Sequence, residues 1–458
     1  MPTHQTNSTS ESTLAEARPG PDVEKDDHTS PPSAAEVATN DPPDGGRDAW
    51  LVTFGSWWAL FIAFGWTNSL GVFQNYYEKE LLRAYSASTI AWIASTQIFM
   101  MYGGGIVLGK VFDHYGPRWL LLVGGFAHVF GLMMTSISKE YYQIFLSQAI
   151  CSAIGASAIY YACLGSLASW FRAKRATAFG IAASGASIGG VIFPVMVDRL
   201  IDQVGFGWTM RAVAFLILGG LVIVNLTVKS RLIHEPKPVH IRQYIKPFTE
   251  IPFLLLVISL SLFSFGLFLP FNFITAQAQT LGMSPNLANY LVAILNATRY
   301  VFQLNLAIKE VYTNSFSVFG RIIPGLIADR VGRFNVMSVA TLVSGILTFA
   351  IWLTGRSNVA IILYAAFFGF FSGAYVSLTP ALIAQLSPIQ EIGIRTGALY
   401  FFVSIAVLTG SPIAGALVAV DKGKYGYLEI FAGATMCAGA ALVVLTRVVK
   451  GGFKWAVL

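Results

Sequence analysis

The chain has 458 residues, 55% hydrophobic and only 12% charged, with 34 Phe, 43 Gly and a formal net charge of +7. A soluble domain carries about 25% charged residues, so this composition excludes an ordinary water-soluble enzyme and points to a polytopic helical membrane protein. The basic residues fall between apolar runs, where the positive-inside rule places them, so the positive balance signals no nucleic-acid partner.

Residues 1–47 are rich in Ser, Thr, Pro, Asp and Glu and hold no apolar core. They read as a disordered acidic tail and not as a signal peptide. The Asn7-Ser8-Thr9 sequon goes unused if that tail is cytosolic. From Trp50 onward, apolar runs alternate with short polar breaks: 50–74, 88–112, 117–138, 142–169, 176–200, 209–229, 251–277, 286–328, 334–354, 359–386, 394–419 and 427–447. Most match the roughly 20 residues that cross the hydrocarbon; the eighth is far too long. The expectation is an all-α polytopic membrane protein with twelve transmembrane helices in two pseudo-symmetric six-helix bundles. The first bundle spans 48–229 and the second 251–447, joined by a basic linker, 230–250, and followed by a short tail, 448–458.

Lys110, Arg118, Arg172, Lys174, Arg175, Lys229, Arg231, Lys237, Arg242, Lys246, Arg330, Arg333 and Arg395 lie in or beside the breaks after even-numbered spans. The opposite breaks hold fewer basic residues, so both termini are expected in the cytosol of a multi-pass membrane protein, with the plasma membrane as the expected site. Cys151, Cys163 and Cys437 all fall within spans, where small apolar packing accounts for them better than a disulfide framework or a metal site.

The chain also looks doubled. Span 2 ends "GKVFDHYGPRW", with Gly109, Asp113, Gly116 and Arg118, and span 8 ends "GLIADRVGRF", with Gly325, Asp329, Gly332 and Arg333. Each stretch alone reads as a glycine turn with solvated charges. Two copies at matching topology point to the internal repeats of secondary transporters. Each Asp can cap a neighbouring helix N-terminus or pair with Arg, making Asp113, Arg118, Asp329 and Arg333 candidates for a latch that breaks and re-forms. The pairs Gly185/Gly189 and Gly105/Gly109 form GxxxG patterns, read as close helix packing. The cluster Arg172, Lys174 and Arg175 is read as a topology anchor.

Through the two "D-x-x-G-x-R"-like loops the sequence resembles the major facilitator superfamily, and within it the fungal branch of the monocarboxylate porter family. The stretch "DGGRDAW", with Asp44, Gly45, Gly46 and Trp50, is similar to that family's signature before span 1. "WFRAKRATAFGIAASGASIGG", 170–190, is similar to the one before span 5, and span 10 adds "YAAFFGFFSGAY", 364–375. The resemblance covers residues 44–447 and implies a carrier without naming a substrate.

Arg321 lies eight residues before Asp329, about 12 Å into the apolar run at 1.5 Å per residue. A charge at that depth costs at least about 2.5–3.5 kcal/mol, so it should face a wet cavity, where its planar fork suits a carboxylate. The alternative is snorkelling to the interface or pairing with an acid at the span end. The resemblance implies the first role, since animal relatives bind the substrate carboxylate with an arginine here. Those relatives also carry an acid one turn earlier and a lysine in span 1, both implicated in proton coupling; this sequence has Ser317 and Asn68 instead. Protons remain a candidate coupling partner, carried on the substrate acid itself, and uncoupled transport is the alternative. Asn68, Phe371 and Tyr375 are candidate lining residues, the last two sharing a face at i, i+4.

Residues 299–316, "RYVFQLNLAIKEVYTNSF", interrupt span 8 with Arg299, Lys309 and Glu310. Without them "LNATSVFGRIIPG" is one span of ordinary length. Arg-Tyr-Val, Thr-Asn and Phe-Ser can encode donor-, branch- and acceptor-like splice sequences. A translated intron and a genuine inserted helix or loop both account for the segment, and sequencing the transcript separates them.

The expected function is alternating-access transport of a small organic anion across the lipid bilayer, a monocarboxylate or an acidic metabolite, by a symporter-type carrier. The alternatives are efflux of a fungal secondary metabolite, by this carrier or by a drug–proton antiporter, and a non-transporting nutrient receptor. Pro194 lies late in span 5, which argues against the antiporter pattern. No paired carboxylates, metal-spaced histidines or nucleophile elbow appear, so no catalytic residue, cofactor or metal is expected.

Overall fold

The computed structural model describes residues 42–452 except 233, 235–240, 285, 286, 289, 290, 292–294 and 296–315; of Ala87 and 316–320 it describes the backbone alone. Among the described residues there is no β-strand. Among them, ten helices are long and apolar enough to cross a membrane. They are named here with the crossings they make: α1 Arg47–Leu81, α2 Ser88–Tyr115, α3 Pro117–Thr135, α4 Tyr141–Trp170, α7 Ile251–Thr280, α9 Arg333–Trp352, α10 Asn358–Leu386, α11 Ile389–Val420 and α12 Gly426–Gly451. The tenth, Arg175–Thr227, holds two crossings, α5 (175–204) and α6 (206–227). They part at Gly205, whose φ of 76° lies where a side chain would be strained. The described part of α8 is Phe316–Val331. The twelve-crossing, two-bundle architecture expected from the doubled pattern is the fold of this chain; the question of the inserted segment falls on 299–315, outside the described residues.

Lipid tails are as apolar as leucine, so the helices are joined by close backbone approach at small residues. Within the first bundle α1 packs on α5 and α6. A methyl added at Gly185 or Gly189 would collide with the carbonyl of Trp57 or Phe61, as the GxxxG reading predicts for that pair. Within the second bundle α7 packs on α12 in the same way, with Gly439 against the Ser259 carbonyl.

The bundles meet along two seams, α2 with α11 and α5 with α8. The repeat operation exchanges these seams, because α8 is the counterpart of α2 and α11 of α5. Gly109 and the Gly105 carbonyl lie on the first seam, against Gly393 and Gly397 of the other half, while the Tyr161 ring of α4 packs on Gly105 itself, so this GxxxG joins the two halves as well as neighbours within one. The linker runs under the basic end of the helices. Trp170 Nε1 donates to the Lys229 carbonyl at 2.7 Å, and Lys110 Nζ donates to Gln243 Oε1 at 2.6 Å. Glu250 forks onto the buried Arg395 guanidinium at 2.6 and 2.7 Å.

Candidate functional site

The two seams are built alike, from residues spaced by four so that each set lies on one helix face. On α2 the set is Gly105, Gly109 and Asp113. Asp113 accepts the backbone N–H groups of Gly393 and Ile394, both at 2.8 Å, at the start of α11. A methyl at Gly109 would collide with the Gly393 carbonyl, and one at Gly397 with the Gly105 carbonyl. On α8 the set is Arg321, Gly325 and Asp329. Asp329 accepts from Ala176 N at 3.0 Å, Thr177 N at 2.8 Å and Thr177 Oγ1 at 2.8 Å, at the start of α5. A methyl at Gly325 would lie 2.6 Å from the Ala176 carbonyl oxygen, and one at Gly180 2.5 Å from that of Arg321. Each aspartate thus satisfies N–H groups that a helix start leaves open, with the dipole favouring its charge. Glycine lets the two backbones come that close.

The seams differ in their cations. Arg333 turns back to Asp329, Nε at 3.1 Å and Nη2 at 3.0 Å, and Nη2 also donates across the seam to the carbonyls of Arg172 (2.5 Å) and Ala173 (3.2 Å). In the first repeat Pro117 occupies the position that follows the glycine, and Arg118 is exposed. Arg175, one of the three residues read as a topology anchor, has its guanidinium buried. Nε donates to Phe171 O at 2.7 Å, Nη2 to Ala168 O at 3.2 Å and Nη1 to Ala384 O of the other half at 3.0 Å. A guanidinium can be buried there because the ends of α4 and α10 supply carbonyls with no helical partner.

Arg321 is where the repeats diverge most. Its counterpart by spacing is Gly105, where the Tyr161 ring fills the space a side chain would take. Arg321 is partly buried at the seam, and Nη1 donates to the Ala183 carbonyl of the first half at 2.6 Å. Among the described residues no carboxylate pairs with it, and Tyr102 lies within its electrostatic reach. A guanidinium has five donors in a fixed fork, so most of this one is uncommitted to acids. Beside it, Tyr102 of α2 stacks on Tyr400 of α11 with ring centroids 5.4 Å apart, joining the halves, and Tyr160 meets both rings.

The other lining candidates fall in three different places. Asn68 is exposed at the break inside α1, against Gly190 of α5. The Tyr375 hydroxyl shares a 2.7 Å hydrogen bond with Ser264 Oγ, and its ring stacks on Phe263 of α7. Phe371 instead lines an apolar crevice of about 270 Å³ with Ile323, Pro324, Val336 and Ala340. The shared face expected for Phe371 and Tyr375 therefore splits between two neighbours.

Some participants gave no sequence signal of their own: Gly393 and Gly397, ordinary glycines in an apolar run, and Glu429. Glu429 is fully buried in α12 and accepts from the Gln277 amide, which in turn accepts from Trp352 Nε1.

The sequence profile of the Major Facilitator Superfamily matches residues 49–306 and 284–456. "MFS-type transporter 1" of Ophiocordyceps sp. (strain BCC 1869) is 50% identical over 410 residues, covering 90% of this chain and 87% of that protein. The "Fujikurins efflux protein" of Gibberella fujikuroi is 42% identical over 415 residues, covering 90% and 85%. Among solved structures, FucP in the outward conformation superposes with a TM-score of 0.68 at 12% identity, covering 87% of this chain and 99% of that one.

Proposed function

The chain belongs to the Major Facilitator Superfamily, and from that premise we propose that it is a secondary carrier exporting an acidic fungal secondary metabolite. Arg321 receives the substrate's anionic end. The observation that carries this reading is the placement of Arg321: a guanidinium between the halves that, among the described residues, is hydrogen-bonded to one backbone carbonyl and paired with no carboxylate. In a low-dielectric site such a charge is costly alone and is neutralised by an incoming anion, with which it forms a bidentate, charge-assisted pair. Efflux is favoured over uptake of a simple monocarboxylate by the relative named for efflux.

The basic end is the cytosolic one on the lysine and arginine bias. The conformation with both seams closed there then faces outward. Asp113, Asp329 and Arg333 form the cytosolic gate, and alternating access breaks their bonds to the opposite half.

The test is flux in secretory vesicles or whole yeast loaded with acidic polyketide-type metabolites and, separately, with lactate or pyruvate. Arg321→Ala should lower export at least tenfold, and Arg321→Lys should recover little of it, because an ammonium lacks the fork. Flux unchanged by Arg321→Ala, with normal surface expression, would overturn the anion-site assignment.

A further inference from the structure

We propose that Asp44, in the strap leading into α1, is a positioning residue for closure of the basic end: it holds the two peptide units that Arg333 of the other half grips. The proposal rests on the carrier reading above.

Asp44 was expected to belong to a disordered tail. Instead Asp44 Oδ1 accepts three successive N–H groups, from Arg172 at 2.6 Å, Ala173 at 2.7 Å and Lys174 at 3.2 Å, in the turn between α4 and α5. Its own N–H donates to the Trp170 carbonyl at 3.3 Å, and Trp50 sets its ring edge against Phe171 at 5.3 Å. Asp44 sits at φ 51°, a left-handed conformation that Asp tolerates better than most residues, and Gly46 follows at φ 88°. Such a conformation persists where surrounding contacts over-determine it.

The opposite side of the same turn faces Arg333. The peptide unit joining Arg172 to Ala173 gives its N–H to Asp44 and its carbonyl to Arg333; the unit joining Ala173 to Lys174 does the same. A carboxylate on the N–H polarises the amide and makes its oxygen a better acceptor, so the bonds in the chain strengthen one another. Asp44 shows no contact of its own with the second half among the described residues. Its influence on closure therefore runs through those two amides.

The experiment uses the full-length chain in lipid nanodiscs, with Cys151, Cys163 and Cys437 replaced and Ser404→Cys as reporter. Ser404 is fully buried where α11 faces Gly103 of α2, so its labelling by maleimide reports parting of that seam. Gly325→Ala, which wedges the other seam, is the positive control. Asp44→Asn should raise the labelling rate about fivefold to tenfold, and Arg333→Gln by a similar factor. The double variant should exceed the larger single effect by less than twofold, since both remove one chain of bonds. A product of the two single effects would overturn the proposal, as would an unchanged rate in Asp44→Asn while Gly325→Ala responds. No response to Gly325→Ala would show that the seam contacts do not set closure and would overturn the proposal with them, whereas the carrier reading is judged separately by the flux assay with Arg321→Ala. If Asp44→Asn does not fold, Asp44→Glu, which keeps the charge and displaces it by one methylene, is read the same way. Loss of folded protein in both makes Asp44 a residue of the fold and overturns its role in closure.

Discussion

Replacing Gly325 by alanine puts a methyl 2.6 Å from the Ala176 carbonyl oxygen, against an ordinary contact that begins at 3.4 Å. The obstacle is backbone, so α8 and α5 must separate by about 0.8 Å. At that separation the bonds of Asp329 to Ala176 N and Thr177 N, now 3.0 and 2.8 Å, pass beyond hydrogen-bond range. Bonds to a charged group are worth about 1.5–3 kcal/mol each. Rotation of the Asp329 side chain toward the displaced amides recovers part of this, leaving a net cost of about 2–3 kcal/mol, or between one and two decades in the ratio of closed to open forms. The methyl's nearest neighbours all belong to the opposite half, so each bundle keeps its own packing. The expected result is faster labelling of the Ser404→Cys reporter, slower export and an unchanged Tm. Gly439→Ala is the matched control: its methyl would lie 2.7 Å from the Ser259 carbonyl within one bundle, and it should lower Tm without opening the gate. Unchanged labelling in Gly325→Ala, or a Tm loss equal to that of Gly439→Ala, would refute the argument that these glycines set closure.

The unequal cations of the two repeats predict unequal mutants. Arg333→Gln should loosen the basic end, whereas Arg118→Gln, at an exposed position, should change labelling and Tm within error. Arg395 holds the Glu250 carboxyl below its ordinary value of 4.5. A depressed carboxylate stabilises the fold above its unfolded pKa, and this contribution is lost as pH falls through the lower folded value. The Tm advantage of the wild type over Glu250→Gln in detergent should therefore be constant from about pH 5.5 to 8 and shrink below about 4.5, giving the variant a shallower acid limb. An identical acid limb in that variant would refute the assignment.

The crossings were legible in the sequence because membrane insertion is written locally: about 20 apolar residues satisfy their own backbone groups as a helix wherever the chain places them. The doubling was legible because both copies of the Gly–Asp–Gly pattern survive, and Arg321 stood out because a charge in an apolar run needs a reason. Partnership was not legible. Asp113 meets Gly393 280 positions away, Asp44 meets Ala173 129 positions away, and nothing local distinguishes Gly393 from other glycines of the chain. Phe371 and Tyr375 show the same limit at short range. Spacing puts them on one face, and only the neighbouring helices decide that one ring joins α7 while the other borders α8 and α9.

By itself, then, the order of residues determined which segments enter the bilayer, how many times the chain crosses, and where a buried cation must be accounted for. The tertiary structure alone decided which backbone each aspartate caps and which glycines touch across the seams. It also decided that the Arg321 guanidinium reaches the Ala183 carbonyl of the opposite half. The reason is physical: insertion depends on each segment's own transfer from water, whereas closure depends on atoms from distant segments meeting within a few ångströms.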